Sequence, residues 1–316
     1  MDLCGPESFA LNKTWFPPFL LLILAFVWGS SFILMDIGLF GTNKVPLFSS
    51  WQVGALRIGF AGLVLLPVVI SRINRISWRD YAWMAAVGIV GNTIPAFSFT
   101  YAQTVIDSNF AGILNGLTPF FALFIAAGFF GAKVKWLQLV GIGLGLLGAT
   151  GLATQQELDL SLSWWHIGVV VMATACYGVS VNLIAYKLKH RESLTIAAFA
   201  LLTGGIPCTI YALWSGVASI TLEHPQGVLG LGAIAVLGIV GTAAALGLFN
   251  WLIQLTSGTY AASVTYLIPV FAMMWGALND EYIGPMHLLW TVVIFSGVYL
   301  VNKGRTPKAA VESAES

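Results

Sequence analysis

Pro119 and Pro269 lie inside long apolar runs of a 316-residue chain, and their chemistry there is specific. A proline within a helix has no N–H to give the carbonyl four residues back, and its ring pushes that carbonyl aside. Pro119 therefore frees the carbonyl of Asn115, and Pro269 that of Thr265. In a lipid-embedded helix a freed carbonyl is tolerated only where it faces protein, water or ligand. Asn115 and Thr118 share one helix face just before the first proline, and Thr265 and Tyr266 precede the second. Each break thus sets polar side chains beside an open acceptor, a pattern suited to binding a polar solute near mid-membrane. The plainer reading is an ordinary kink closed by a neighbouring Ser or Thr; the recurrence of the pattern favours the site. Pro95 and Pro207 add two more kinks, read as hinges for gating.

Other polar side chains extend the same reading. Asn92 and Tyr101 lie along one apolar run and Asn250 along another, at depths where polar groups face a helix-bundle interior. Trp28, Tyr101, Tyr177 and Trp251 offer aromatic faces for stacking, although aromatic residues also serve as packing and interface anchors. Arg57 is the one basic residue well inside an apolar run. It either neutralises a substrate carboxylate or pairs with Asp36 at the neighbouring helix end, and the pairing is the preferred reading. Asp36 and Glu281 are the candidates for proton coupling. All four histidines (His166, His190, His224, His287) fall at helix ends or in loops, so no buried His–carboxylate relay is expected. Metal-ligand clusters, phosphate-cradling loops and nucleophile elbows are absent from the sequence; no metal, cofactor or catalytic residue is expected. Cys4, Cys176 and Cys208 are too scattered for a disulfide framework.

The elements holding these residues follow from composition. The chain is 58% hydrophobic and only 9% charged, against about 25% charged in soluble domains, which excludes a soluble enzyme. The net charge of +1 offers no face to nucleic acid. About 20 apolar residues cross a bilayer as a helix, and ten such stretches are expected: 17–38, 47–70, 80–101, 109–130, 135–153, 165–186, 194–214, 228–253, 260–279 and 286–302. With the N-terminus inside, twelve of the fourteen Lys and Arg residues fall on the cytoplasmic side and only Lys44 opposite, so both termini are placed in the cytoplasm.

An internal repeat organises these stretches. Val87-Gly88-Ile89-Val90-Gly91 recurs 150 residues later as Leu237-Gly238-Ile239-Val240-Gly241. At the same offset Phe99 meets Phe249, Tyr101 meets Trp251 and Pro119 meets Pro269, while Trp28-Gly29-Ser30-Ser31 meets Tyr177-Gly178-Val179-Ser180 at 149. Asn250 is likewise the counterpart of Thr100. The expected organisation is a tail (1–16), a first five-helix repeat (17–153), an external linker (154–164), a second repeat (165–302) and a second tail (303–316). Five is odd, so the second repeat enters the membrane inverted, an arrangement typical of transporters with sites near the midplane.

Ten spans, the duplication, the Trp28-Gly29-Ser30-Ser31-Phe32 stretch, Arg57 and the two matched prolines together resemble the EamA family of the drug/metabolite transporter superfamily over about residues 18–302. One departure is visible: such repeats often end their fourth helix in Gly-Glu, whereas the first half has Gly131-Ala132 and only the second keeps acid, as Asp280-Glu281. The resemblance implies an all-α inner-membrane carrier, not an enzyme, that moves a small metabolite, often outward, through a central cavity with the fifth and tenth spans at its edge. Relatives carry amino acids, nucleosides or vitamins, or organic cations. An interior of Asn, Thr, Tyr and Trp with one Arg ranks an amino acid or related zwitterion first, ahead of lipophilic cations and nucleoside- or vitamin-like metabolites. The expected partners are a small-molecule substrate and the bilayer, in a monomer or weak homodimer. A lipid-modifying membrane enzyme and a channel are the distant alternatives.

Overall fold

The computed structural model describes residues 15–106, 108–153, 164–268, 270–271 and 284–304. Among them every regular element is helical. In the first half, α1 (Phe16–Phe40) opens on Pro17 and Pro18 and ends at Gly41, whose φ of 60° suits glycine. Next come α2 (Ser50–Val64) and α3 (Leu66–Arg72), then α4 (Trp78–Gly88), which runs through residues 89–93 into α5 (Ile94–Ala102). The half closes with α6 (Ser108–Asn115), α7 (Thr118–Phe130) and α8 (Trp136–Ala153). The second half has α9 (Trp164–Lys187), α10 (Ser193–Trp214), the short α11 (Val217–Glu223) and α12 (Gly227–Gly238). Residues 239–244 carry α12 into α13 (Ala245–Leu255), followed by α14 (Gly258–Ala262), a 3₁₀ turn (Ser263–Tyr266) and α15 (Pro285–Gly304). Pro269, Asp280, Glu281 and the linker 154–163 lie outside the described residues.

Five of these helical runs are long and apolar enough to cross a bilayer, and a sixth if α2 and α3 count as one. Those two meet at 46°, a break the expectation of one continuous span over 47–70 did not include. Pro67 is the cause: it has no N–H for the carbonyl of Leu63, and it sits in the first turn of α3, where that donor is dispensable. Ser49 starts α2 through a capping box with Gln52, and Ser77 caps α4 by accepting the N–H of Asp80.

Glycine sets the closest helix approaches. The second helix of each half crosses the other at Gly62 and Gly205, where an added Cβ would lie 2.9 Å from the opposing Cα. The last helices, α8 and α15, pack along a Gly141–Gly145 stripe; a Cβ on Gly297 would stand 2.5 Å from the Gly145 nitrogen. Gly131 ends α7 in the left-handed region at φ 67°, so its place in the departing Gly-Ala pair is that of a helix stop.

Candidate functional site

One cavity lies between the halves, with about 100 Å³ of room for the centres of water-sized molecules. Its walls repeat the internal duplication. Trp28 and Tyr177, Ser31 and Ser180, and Met35 and Ile184 are lining pairs 149 residues apart; Gly91 and Gly241, Asn92 and Thr242, Phe99 and Phe249, and Asn115 and Thr265 are pairs 150 apart.

In each half the third helix slips at this wall. Residues 89–93 and 239–244 leave the α-helical ladder for π-helix, again 150 residues apart. The slip moves carbonyls out of register, and side chains take them up at i−5: Asn92 Nδ2 donates to the Val87 carbonyl (3.2 Å), Thr93 Oγ1 to Gly88 (3.1 Å) and Thr242 Oγ1 to Leu237 (3.0 Å). Such single-turn bulges recur at functional sites. The glycine in each slip admits a serine from the first helix of one half or the other. A Cβ on Gly91 would lie 2.0 Å from Ser180 Oγ, and one on Gly241 2.8 Å from Ser31 Oγ. Trp28 Nε1 donates to the Gly241 carbonyl at 3.0 Å, so a cavity aromatic also serves the second slip.

Arg57 breaks the symmetry. Its Nε donates to Thr242 Oγ1 at 2.9 Å, and Tyr177 lines the same cavity. The expected pairing with Asp36 does not form. Lys44 takes a left-handed φ of 57° in the turn after α1, which brings its ammonium onto Asp36 instead. Among the described residues no carboxylate meets Arg57, and its Nη1 and Nη2 have no acceptor.

Seven of the sequence-selected residues meet at this cavity: Trp28, Arg57, Asn92, Asn115, Thr118, Tyr177 and Thr265. At the Pro119 position the chain does more than kink. α6 stops at Asn115 and α7 begins at Thr118, whose Oγ1 donates to Asn115 Oδ1 at 3.1 Å across the break. Four others point elsewhere. Tyr101 stacks on His166 at 4.9 Å near one end of the bundle, and Trp251 packs edge-on against Phe16. Asn250 is fully buried and donates to the Ser193 carbonyl at 3.3 Å. Tyr266 is sealed in the core, its ring over Gly145. Pro95 falls in the first turn after a π slip, and Pro207 sits on an exposed face of the continuous α10.

Sequence reading passed over Ser31, Ser180, Phe99, Phe249 and Thr242 as site residues. The signal was there: each lies in or beside a repeated segment, and the repeat axis passes between the halves. Asn182 was also missed; it ties α9 to α7 through the Ala122 carbonyl at 2.8 Å.

The profile of the EamA-like transporter family matches residues 15–154 and again 164–303. The chain belongs to that family. Like its Escherichia coli K12 relative, described as an uncharacterized inner membrane transporter, YedA (24% identical over 288 residues, 90% of each chain), it is an inner-membrane transporter. It is also similar to an S-adenosylmethionine/S-adenosylhomocysteine transporter of Chlamydia trachomatis, 27% identical over 87% of this chain and 85% of that one. A probable terminal-alkyne amino-acid exporter of Streptantibioticus cattleyicolor is 24% identical over 90% and 92% of the two chains. A solved crystal structure superposes with a TM-score of 0.65 at 15% identity over 99% of this chain and 100% of the other, so this EamA member shares its fold.

Proposed function

We propose that this transporter carries a small metabolite built on an α-amino acid, outward across the cytoplasmic membrane, by alternating access of the cavity to the two sides. The observation that carries this reading is Arg57: a guanidinium at the junction of the halves with Nη1 and Nη2 unclaimed among the described residues. A planar fork of this kind matches a carboxylate bidentately. The ammonium of the same substrate finds the Asn115 side chain, already an acceptor for Thr118, and the aromatic faces of Trp28 and Tyr177. Among the described lining residues there is no carboxylate, which disfavours a lone organic cation. The S-adenosylmethionine, S-adenosylhomocysteine and amino-acid substrates of the relatives all carry an α-amino acid group, and the apolar walls around Phe99 and Phe249 suit their side chains.

Ten crossings with both termini cytoplasmic belong to the same proposal. They put the end of the bundle rich in Arg and Lys inside the cell. The breaks at Pro119 and at the π slips give the inner helices places to bend during exchange, and Pro95 adjoins one of them.

Counterflow in proteoliposomes tests the reading, with L-methionine, S-adenosylhomocysteine, uridine and tetraphenylphosphonium each loaded unlabelled and followed as label. Uptake of the two amino acids is expected, with loss on Arg57→Gln in protein that still inserts and purifies. Uptake of tetraphenylphosphonium alone, or amino-acid uptake that survives Arg57→Gln, overturns it.

A further inference from the structure

We propose that Thr242 is a positioning residue that sets which edge of Arg57 meets the substrate, and through it the preference of the cavity for a carboxylate; this rests on the Arg57 reading above. A threonine hydroxyl has one proton to donate and lone pairs to accept with. In this chain the proton is committed. The π slip displaces the Leu237 carbonyl, and Thr242 Oγ1 donates to it at 3.0 Å. The hydroxyl can then only accept, so its neighbour in the cavity must be a donor, and Arg57 Nε supplies that donor at 2.9 Å.

The consequence is stereochemical. A guanidinium offers a carboxylate two bidentate edges, a side edge of Nε with one Nη and an end edge of Nη1 with Nη2. Thr242 occupies Nε and closes the side edge. The end edge has no acceptor among the described residues and is not sealed from the cavity. A carboxylate therefore binds end-on, at one fixed place in a chamber most of whose other polar walls come in matched pairs. Asn92, the repeat counterpart of Thr242, closes its own π slip through the Val87 carbonyl, but no arginine faces it: Gly238 packs against the Arg57 carbonyl, while its counterpart Gly88 packs against the carbonyl of Ala200. The second half's slip alone has been turned into an arginine holder, and the substrate is oriented by that asymmetry.

The test is counterflow of labelled L-methionine by the full chain in proteoliposomes, with L-methioninamide as competitor. Wild-type protein is expected to prefer the acid. Thr242→Val should raise the half-saturating L-methionine concentration about tenfold, the worth of one hydrogen bond to a charged group, leave the amide's competition unchanged and keep the rate at saturation. Thr242→Ser, which keeps the hydroxyl, should restore the preference, and Thr242→Ala reads the same ratio should the valine variant fail to fold. Loss of the preference in Arg57→Gln with an unchanged Thr242→Val and Thr242→Ala overturns the role of Thr242 and leaves the Arg57 reading standing. A wild-type protein that takes up no L-methionine, or does not distinguish acid from amide, or a preference that survives Arg57→Gln, overturns both.

Discussion

The two ends of the bundle form the same joint and fill it with different chemistry. At one end, the link between α9 and α10 rests on the start of α4: Arg191 forks onto Asp80, and His190 Nε2 lies 3.0 Å from the other carboxylate oxygen. Arg72 meets Glu192 and Thr195 beside them, and Gln254 Nε2 donates to the Arg191 carbonyl at 2.7 Å. At the other end, the turn after α1 meets the turn before α12, and the Thr42 N–H donates to Gln226 Oε1 at 2.6 Å. Arg191 follows Thr42 by 149 residues, and Gln226 follows Ile76, at the foot of α4, by 150. The joints are thus repeat-related. One is a clustered ionic clamp around a carboxylate only 7% exposed; the other is a single neutral hydrogen bond at the surface. Duplication decides where a joint forms, and local sequence decides how strongly it holds.

The contrast predicts a graded series in thermal unfolding of the purified protein. Asp80→Ala strands Arg191 in a largely covered site and removes the acceptor of Ser77; a loss of about 3 kcal/mol is expected. Glu192→Gln breaks a pair whose carboxylate is mostly exposed and should cost about 0.5–1 kcal/mol. Gln226→Ala should cost about 0.5 kcal/mol, the lower range for a solvated neutral bond. Equal losses at Asp80 and Gln226 would erase the distinction between the two joints. A smaller loss in the double variant Asp80→Ala with Glu192→Gln than the two singles summed would sharpen it, showing that the clamp acts as a unit.

How much of this was legible in the sequence depends on what a side chain's position must be read from. Depth in the membrane is readable: Asn115 and Thr265 were found because a proline four residues on removes a donor whatever surrounds it, and Thr118 because it shares the helix face of Asn115. Direction around the helix is not. Tyr101, Asn250, Trp251 and Tyr266 lie in the same apolar runs but do not line the cavity, and helices apolar on all sides carry no stripe to say which way they turn. The Asp36 pairing failed for a related reason. Sequence placed Asp36 and Arg57 near each other, while the left-handed Lys44 that captures the carboxylate sits in a turn whose backbone follows no periodicity. Pro67 carried a clear signal in an apolar run and was passed over in favour of one long span. The π slips have no proline and no single residue that marks them; only their recurrence after 150 residues reveals them, once the backbone is seen.

The pairing of α8 with α15 has a consequence for how such a chain can arise. Each half ends in a helix whose glycine face fits the last helix of the other half, not a partner of its own. A gene for the first half alone would encode a subunit with that face bare to lipid, and it would be covered only when two copies lay antiparallel in one membrane. Fusion into one chain fixes that antiparallel pairing at a single stoichiometry. It also frees the two copies to differ, and Arg57 on one side of a chamber with mostly paired walls is a difference of the kind that two identical subunits could not keep.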